Sequence, residues 1–577
     1  MGKLLRFLKG YEKESILGPL FKLLEATLEL FVPLAVASLI DVGIGNKDTN
    51  YVIKMFVCLI FLGIAGLGFS LTAQFFAAKA AVGFVKKIKY ALFEHMENLS
   101  YSEIDRLGTS AMINRMTSDM NQVQSGMNMS LRLLLRSPFV VAGAFIMACI
   151  IDWQAAKVIG LIILGLTVVV FGIIIFTIPL YKKVQQKLET VLATARENLI
   201  GARVIRAFGL EEEEKQEFSV KHRELTKSQK FVGNISALMN PITYIIINVG
   251  IAVLIWQGAI QVEHGILTQG AVVALYNYMA QILEELVKLA NMMILLTKMV
   301  ASGNRIQTVF EMESSQNYPG ETLWKTKKEL PQVVFENVSL KYEGASEEAL
   351  SEISFQAKKG QVIGVIGGTG CGKTSLVNMI ARFYDASEGN VFVDGIDVKN
   401  YKKEDLLKKI GLVPQKAVLF KGTIRENICW GKENASDEEI WKALEIAQAK
   451  EIVEKKPEKL NFGITQNGRN LSGGQRQRLT IARALVRKPE ILILDDSASA
   501  LDYATDAALR REIQKMEDRP TIFIVSQRTV SIQQADMILV LDDGKIVGTG
   551  THEELLSTCK TYEEIYTSQF KKEVQDS

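Results

Sequence analysis

The sequence predicts a multidomain membrane protein, in which an all-α domain with six transmembrane helices is followed by an α/β domain. Three observations lead to this prediction. Apolar residues make up 48% of the 577-residue chain, and their long runs fall within roughly its first half. From about residue 332 onward, short β-like runs alternate with helical patterns, as in domains built on a parallel sheet. A glycine-rich loop between a strand-like and a helix-like segment lies in this second part.

Six segments are long and apolar enough to cross a bilayer, which takes about 20 residues. They lie near residues 16–41, 51–79, 134–154, 157–180, 236–260 and 268–300. The third is the weakest, because Arg132 and Arg136 crowd its start. Lys and Arg are concentrated at the N-terminus and in the long connections 80–133 and 181–230, whereas the other connections are short and hold few cations. The positive-inside rule therefore places both termini and both long connections in the cytoplasm.

Within the two long connections, residues 80–100 and 181–230 have the pattern of amphipathic helices that continue the membrane helices into the cytoplasm. The connections contain predicted breaks at Leu107-Gly108-Thr109 and at Phe208-Gly209. Exposed turns at these breaks are candidates for contact with the soluble domain. Residues 211–227 begin with four consecutive glutamates, so we interpret them as a solvated charged helix.

Several charged residues fall inside the predicted spans. They are Lys22, Glu25, Glu29, Glu284, Glu285 and Lys288. Such charges either line a cavity or find a partner within the protein, or the helices extend beyond the bilayer and some of these residues lie in water. Asp41, at the outer end of the first span, also has two interpretations, an extracellular gate or a helix cap.

These patterns divide the chain into a transmembrane domain at 1–304, a linker at 305–331 and a soluble domain at 332–577. The net charge of +3 is close to balance and gives no reason to expect a nucleic-acid partner. The five cysteines are scattered without a paired spacing, which argues against a disulfide scaffold or a zinc site.

The soluble domain contains a phosphate-binding loop between an apolar run, 362–366, and a helical pattern, 375–380. Glycines let backbone N–H groups approach a phosphate closely, and the following helix adds its own free N–H groups. The expected nucleotide-binding residues here are Gly367, Gly368, Thr369, Gly370, Cys371, Gly372, Lys373, Thr374 and Ser375. Lys373 would reach the β- and γ-phosphates, and the Thr374 hydroxyl would ligate Mg²⁺. The sequence therefore predicts binding of a nucleoside triphosphate.

Two further motifs follow at characteristic spacings. Leu471-Ser472-Gly473-Gly474-Gln475, here called the signature segment, opens a helical pattern and offers a second phosphate-binding surface, at Ser472, Gly473, Gly474 and Gln475. The apolar run 491–494 ends in Asp495, the arrangement that holds Mg²⁺ in P-loop ATPases. Ser499-Ala500-Leu501-Asp502, shortly after Asp495, is the last of these motifs. Together these motifs resemble the nucleotide-binding domain of ABC transporters, and with six preceding spans the whole chain resembles a half-transporter of the bacterial ABC exporters.

The resemblance implies ATP and Mg²⁺ as cofactors and a multi-pass location in the bacterial cytoplasmic membrane, with the ATPase domain in the cytoplasm. Tyr342 resembles the aromatic residue that stacks on adenine, although it is also compatible with an ordinary strand aromatic. Gln415 resembles a residue that contacts both Mg²⁺ and the membrane domain. The breaks near 107–110 and 208–210 resemble the regions that couple the two domains. In this family the signature segment of one domain faces the phosphate loop of another, with two ATP molecules between them.

Three positions depart from the family pattern. Relatives carry a glutamate after the Mg²⁺-binding aspartate, whereas this chain has Asp496, which is one methylene shorter. A displacement of about 1 Å in a catalytic group can lower a rate by about 100-fold. Relatives carry a histidine at the position of Gln527, which cannot supply a positive charge to the γ-phosphate. More weakly, Gln466 replaces an acid before the signature segment.

The departures and the intact motifs serve different sites. The predicted catalytic residues Asp496, Gln527 and Gln415 act on ATP bound to this chain's own phosphate loop, and the first two are altered. The signature segment and residues 499–502 act mainly on the opposite ATP and are intact. This asymmetry predicts the degenerate-site half of a heterodimeric, multidrug-type ABC exporter, with a second half-transporter as its partner.

Two alternatives remain open at this point. One is a homodimeric exporter with two identical slow sites, and the other is an ATP-gated channel or regulator. The six spans exclude a soluble ABC-type ATPase. The expected substrate is a small lipophilic or drug-like molecule taken from the lipid bilayer, while export of a lipid or a peptide is also open.

Overall fold

The computed structural model describes residues 1–322 and 330–570, so residues 323–329 of the predicted linker lie outside the described residues. The predicted fold class is confirmed, since a helical part with six candidate spans is followed by an α/β domain. The chain divides into two compact units. The first unit contains Met1–Glu97 and Ser110–Met312, and the second contains Asn98–Thr109 and Glu313–Ser577.

Helices make up the chain as far as residue 310. They are α1 Glu12–Ser38, α2 Thr49–Glu97, α3 Tyr101–Leu107, α4 Thr109–Asn114, α5 Met120–Leu133, α6 Arg136–Ile151, α7 Trp153–Ile200, α8 Ala202–Phe208, α9 Glu211–Ala237, α10 Met239–Glu263 and α11 Gln269–Phe310. A 3₁₀ helix, Gly2–Leu8, precedes them, and π-helical turns occupy Leu39–Ile44 and Arg115–Asp119. Of these helices, α3 belongs to the second unit.

Six helical stretches are long and apolar enough to cross a membrane: Glu12–Ile44, Thr49–Glu97, Thr109–Ile151, Trp153–Ile200, Glu211–Glu263 and Gln269–Phe310. Each predicted span coincides with one of them, but the third ends earlier than predicted. Its helix stops at Ile151, because Asp152 takes an extended backbone conformation and caps α7, accepting a hydrogen bond from the Ala155 amide at 2.7 Å.

The predicted helical extensions and both predicted breaks are present. Helices α2 and α7 run without interruption to Glu97 and Ile200. Gly108 ends α3 with φ +72° and Gly209 ends α8 with φ +67°, and a glycine is favoured at both points because its backbone enters this region without strain. The charged residues 211–227 lie within α9.

Each of the six charged residues predicted within the spans has a partner in the first unit. Lys22 donates to Glu25 at 2.5 Å, and Lys288 donates to Glu284 at 2.7 Å. Arg136 pairs with Glu285 and, at 2.6 Å, with Glu29. Pairing offsets part of the desolvation cost of the charges with little exposure, Lys22, Glu25 and Glu285, whereas the Glu284 side chain is 67% exposed.

Asp41 acts as a helix cap across the first unit. Its Oδ1 accepts a hydrogen bond from the Gly270 amide at 2.7 Å, in the first turn of α11. Thr268 caps the same turn by accepting from the Ala271 amide at 3.3 Å. These two oxygens satisfy N–H groups that the helix itself leaves free, so the capping interpretation of Asp41 is the one observed.

The second unit contains two main sheets. Their strands are β1 Val333–Leu340, β2 Leu350–Ala357, β3 Val362–Gly367, β4 Glu388–Val393, β5 Ile396–Asp397, β6 Ile410–Val413, β9 Ile491–Asp495, β10 Thr521–Val525, β11 Met537–Asp542 and β12 Lys545–Gly550, with β7 Gly422–Thr423 and β8 Gly463–Ile464 forming a small pair. The six-stranded sheet has the order β12-β11-β3-β10-β9-β6, and the four-stranded sheet has the order β2-β1-β4-β5.

Helices cover the sheets of the second unit. They are α12 Lys373–Ile380, α13 Lys403–Lys409, α14 Ile424–Cys429, α15 Asp437–Ile446, α16 Lys450–Glu454, α17 Gly473–Leu485, α18 Tyr503–Gln514, α19 Thr529–Ile532, α20 His552–Thr558 and α21 Lys560–Phe570, with short 3₁₀ helices at Val398–Asn400, Lys459–Asn461 and Gln466–Gly468.

The large sheet is what positions the site. Strands β11, β3, β10, β9 and β6 are parallel, and only β12 at the edge is antiparallel. The interior strands β9 and β10 are buried along their whole length, which is typical of a parallel sheet covered on both faces. Parallel strands end at the same edge, so the residues that follow β3, β6, β9 and β10 lie together there.

Candidate nucleotide-binding site

The phosphate loop follows β3 and leads into α12, the predicted strand–loop–helix arrangement. Gly370 and Gly372 have φ +87° and +94°, which only glycine adopts readily. A Cβ at Gly372 would lie 2.5 Å from the Ala349 carbonyl oxygen, whereas Gly370 faces open space. The Lys373 ammonium donates to the carbonyl oxygens of Gly367 at 2.9 Å and Gly368 at 2.5 Å, so it curls back over the loop. This backbone cradle and its cation fit a polyphosphate.

Oxygen atoms suited to a magnesium ion lie beside the loop. The Thr374 hydroxyl donates to Asp495 Oδ1 at 3.1 Å, and Asp495 is only 5% exposed at the end of β9. Burial raises the pKa of the Asp495 carboxyl, and the nearby Asp496 charge adds to the rise. A hydroxyl and a carboxylate are ligands that Mg²⁺ accepts, so these two residues fit the predicted metal-binding role.

Asp496 is held in an unusual conformation directly after β9. Its φ is +45°, its amide donates to the Val525 carbonyl at 2.9 Å, and its own carbonyl accepts from the Ser499 hydroxyl at 2.7 Å. Non-glycine residues rarely adopt this backbone region, and when they do they cluster at functional sites. Burial raises the pKa of the Asp496 carboxyl, an effect opposed by the hydrogen bond from Gln415.

Most of the predicted residues meet around one open cavity of about 260 Å³. Its lining consists of Tyr342, Ala349, Thr369, Gly370, Gly372, Lys373, Thr374, Ser375, Gln415, Asp495, Asp496, Val525 and Gln527. Gln415 is on this lining and donates to Asp496. Gln527 also lines the cavity, and its backbone carbonyl accepts from Gln569 Nε2 at 2.7 Å. The two altered positions, 496 and 527, are therefore both beside the phosphate loop.

Tyr342 stands at the end of this cavity, just after β1. Its hydroxyl shares a hydrogen bond with the Ser375 hydroxyl at 2.8 Å. The Tyr384 ring meets it edge-on, with ring centroids 5.0 Å apart and an interplanar angle of 88°. Its position outside the strand and on the cavity wall gives a ring against which a base can stack.

The signature segment does not join this cavity. The Ser472 hydroxyl accepts from the Gln475 amide at 3.3 Å, and Gln475 Oε1 accepts from the Ser472 amide at 3.2 Å, a capping box that starts α17. Within the described part of the chain, none of Ser472, Gly473, Gly474 and Gln475 lines the cavity around Lys373.

Sequence reasoning missed a group of contacts between α3 and the sheet domain. The Tyr384 hydroxyl donates to Asp105 Oδ2 at 2.6 Å, and the Tyr101 ring stacks on Phe383 at 4.6 Å. The break at Gly108 was predicted, but the helix before it was not. A signal for it was available, since Ser100 followed three residues later by Glu103 is a pattern that begins helices.

Comparisons with known proteins match both parts of the chain. A family model of the ABC transporter transmembrane region matches residues 15–286, and a model described as ABC transporter matches residues 350–499. An uncharacterized ABC transporter ATP-binding protein of Bacillus subtilis is 34% identical over 577 residues, covering 100% of both chains. A protein of the same description from Mycobacterium tuberculosis is 33% identical over 570 residues, covering 97% of both.

More distant matches extend over nearly the full length. An ATP-dependent lipid A-core flippase of Vibrio vulnificus is 27% identical over 575 residues, covering 98% of this chain and 97% of its own length. The structure of a bacterial Atm1-family ABC exporter with ATP bound aligns with a TM-score of 0.82 at 22% identity, covering 97% of this chain and 99% of that one. At this identity the structural match concerns the fold.

Proposed function

This chain belongs to the ABC transporter family, and we propose that it is one half of an ATP-driven exporter whose own nucleotide site binds MgATP but hydrolyses it slowly. One observation carries the proposal. Asp496 and Gln527, the two main departures from the family pattern, both line the cavity around Lys373, whereas the signature segment keeps its sequence and starts a regular, capped helix outside that cavity.

The cavity residues that match the family pattern then have defined tasks. MgATP would supply the phosphoanhydride that water cleaves. The loop amides and Lys373 would hold the phosphates, Thr374 and Asp495 would hold the metal ion, and Tyr342 would support the base. Asp496 would orient or deprotonate the attacking water, but its carboxylate is one methylene short of a glutamate. Gln527 offers a neutral amide, so negative charge that develops on the phosphoryl group is less well stabilised than by a cation.

The intact signature segment favours a heterodimer, in which the partner is not a copy of this chain. The Ser472 cap fixes the first turn of α17 by binding the Ser472 and Gln475 amides, so the Gly473 and Gly474 amides and the Ser472 hydroxyl would form the anion-binding surface. We propose that this surface completes a hydrolytically competent site on a second half-transporter. The assembly would lie in a bacterial cytoplasmic membrane, with the nucleotide-binding domains in the cytoplasm.

The proposed substrate is a small lipophilic or drug-like molecule that enters from the bilayer. In each of the six spans, no more than 33% of the most apolar 18-residue window is buried inside the chain. This exposure supports a substrate route in contact with lipid. A lipid is the second candidate, favoured by the full-length similarity to lipid A-core flippases of Vibrio.

The deciding experiment measures ATP hydrolysis by the full chain in lipid vesicles, alone and co-expressed with the ABC half-transporter encoded nearest to it. We expect negligible hydrolysis alone and robust hydrolysis with the partner. Full activity alone would contradict the slow-site proposal and favour a homodimer. ATP-dependent uptake of a fluorescent lipophilic dye into the same vesicles separates an exporter from a channel or regulator, which would show no uptake against a gradient.

A matched pair of substitutions tests the asymmetry in the assembled transporter. Gly473→Asp places a negative charge on the signature segment, where a side chain has open space and the fold should persist. Lys373→Ala weakens only this chain's own site. The proposal expects Gly473→Asp to abolish hydrolysis and Lys373→Ala to leave most of it, whereas equal losses would indicate two equivalent sites.

A further inference from the structure

The loop Arg382-Phe383-Tyr384-Asp385, called the 382–385 loop, joins three parts of the second unit. It follows α12, which starts at the phosphate loop, and it contacts α3, the segment 316–318 and Tyr342. Nothing in the sequence motifs points to this loop. Its contacts therefore give information that the nucleotide-binding pattern alone does not.

Arg382 fixes one side of the loop. It is only 3% exposed and has φ +52°, a conformation that needs support from its neighbours. That support comes from residues 316–318. The Arg382 carbonyl accepts from Gln316 Nε2 at 3.1 Å and from the Tyr318 hydroxyl at 3.3 Å, and its guanidinium donates to the Asn317 carbonyl at 3.2 Å. The loop is thus anchored at its first residue.

The other side of the loop holds α3. The Tyr384 hydroxyl donates to Asp105 Oδ2 at 2.6 Å, and the Phe383 ring stacks on Tyr101 at 4.6 Å. Burial, together with the Asp105 carboxylate, raises the pKa of Tyr384, so the hydroxyl keeps its proton and remains a donor at neutral pH. Arg106 of α3 also pairs with Glu343 at 3.0 Å, directly beside Tyr342.

Tyr384 is at the same time the neighbour of the base-stacking ring. Its ring lies against that of Tyr342 in an edge-to-face contact, a geometry that aromatic pairs prefer. A change in the orientation of the Tyr342 ring therefore displaces Tyr384, whose hydroxyl is bonded to α3. Only the Tyr384 ring therefore lies between Tyr342 on the cavity wall and the α3 helix.

We propose that Tyr384 is a positioning residue that links a nucleobase stacked on Tyr342 to the α3 helix through its hydrogen bond to Asp105. This inference rests on the proposed function, because it takes Tyr342 as the ring that supports adenine. The α3 helix would then respond to the base of the nucleotide, in addition to its phosphates. The residue acts through Tyr342 and Asp105 and does not touch the reacting atoms.

The first test compares hydroxyl deletions on the two sides of the loop in the assembled transporter in lipid vesicles. Tyr384→Phe removes the hydrogen bond to Asp105 and keeps the ring contact with Tyr342. Tyr318→Phe is the matched control, because it removes a tyrosine hydroxyl that binds the same loop on its anchored side. We expect Tyr384→Phe to lower kcat for ATP about five- to tenfold with KM for ATP changed by less than about twofold.

Asp105→Ala, which leaves no side-chain acceptor for the Tyr384 hydroxyl, should lower kcat similarly. The double variant with Tyr384→Phe should be no worse than either single one, because both changes remove the same contact. An unchanged kcat in Tyr384→Phe, or an equal loss in Tyr318→Phe, would overturn the proposal.

The second test needs no variant and so does not depend on the folding of a mutant. Amide hydrogen exchange of the unaltered transporter is followed with ATP and with inorganic tripolyphosphate, at concentrations that protect residues 367–374 to the same degree. The proposal expects ATP to slow exchange in residues 101–107 and tripolyphosphate to leave it unchanged. Equal protection of α3 by both ligands would overturn it.

The two proposals fail in distinguishable ways. If Tyr342→Ala leaves ATP affinity unchanged, the assignment of Tyr342 is wrong and the inference falls with it. If Tyr342→Ala weakens ATP binding while α3 protection does not depend on the base, only the role of Tyr384 is refuted.

Discussion

The side-chain amide of Gln415 donates a hydrogen bond to the carboxylate of Asp496, with Nε2 3.4 Å from Oδ2. The two residues follow different strands, β6 and β9, and meet because parallel strands end at one edge of the sheet. This contact holds the Asp496 carboxylate toward Gln415. A glutamate at this position would carry its carboxylate one methylene farther from the backbone.

Replacing Asp496 with glutamate together with Gln527→His is expected to accelerate hydrolysis at this chain's own site. Both changes restore a group that acts on the γ-phosphate or the attacking water, and a gain of up to about 100-fold is in keeping with a shift of about 1 Å in a catalytic group. Single-turnover hydrolysis of radiolabelled ATP in the assembled transporter measures the effect.

Adding Lys373→Ala to this double variant is the control, since it should remove the gain by preventing ATP binding at the same site. An unchanged single-turnover rate in the double variant would show that neither position limits hydrolysis.

The Tyr342 ring is expected to contribute to ATP affinity through stacking and not through its hydroxyl. Tyr342→Ala should weaken ATP binding by about 1–3 kcal/mol, the usual worth of stacking a base on an aromatic ring. Tyr342→Phe loses only the hydrogen bond to Ser375 and should bind ATP within about twofold of the original chain. Equilibrium binding of a fluorescent ATP analogue distinguishes the two variants, and equal losses would assign the effect to the hydroxyl instead.

The candidate nucleotide site was largely predictable from sequence because each of its main motifs is a short run of residues. The phosphate loop and the aspartate after a buried strand each carry their chemistry within a few residues. The length and apolar composition of continuous runs likewise predicted the six spans, since a helix that crosses a bilayer needs a long apolar run. What sequence could not give was the pairing of distant residues.

Three such pairs show why. Tyr384 and Asp105 are 279 residues apart in the sequence, and Asp41 and Gly270 of α11 are 229 residues apart. Arg136 and Glu285 are separated by 149 residues. Each partner taken alone fits an exposed position equally well, so no local pattern selects the contact. The third span was predicted to be too long for a related reason. An apolar run hides a helix boundary when a single capping residue, here Asp152, starts the next helix at once.

Gly270 is expected to tolerate no side chain. An added Cβ would collide with the Ala37 carbonyl oxygen and with the Asp41 carboxylate that caps α11. Gly270→Ala should therefore lower the free energy of unfolding by about 1–3 kcal/mol through overpacking and loss of the cap. Gly66→Ala in α2 is the matched control, because a Cβ there meets nothing within 4 Å. Thermal unfolding in detergent compares them, and equal melting temperatures would refute the close approach.

Arg136 is expected to stabilise the fold mainly because one of its two ion-pair partners, Glu285, is buried with it. Its side chain is 6% exposed and that of Glu285 is 3% exposed, with Ser137 donating to the same carboxylate at 2.7 Å. Arg136→Met leaves the buried Glu285 carboxylate with Lys288, 3.0 Å from its Oε1, as its remaining ion-pair partner. Because this partner compensates the charge only in part, Arg136→Met should destabilise the fold by up to about 3 kcal/mol. Adding Glu285→Gln removes that charge while keeping an acceptor for Ser137, and should restore a substantial part of the loss.

The control for this pair is Lys3→Ala, which breaks an ion pair with Glu311 whose side chains are 73% and 50% exposed. Exposed pairs contribute about 0–1 kcal/mol, so its melting temperature should stay close to that of the original chain. If the double variant Arg136→Met with Glu285→Gln were less stable than Arg136→Met alone, the loss would come from packing around the arginine stem. The buried charge would then not be the cause, and the two residues would not act as a pair.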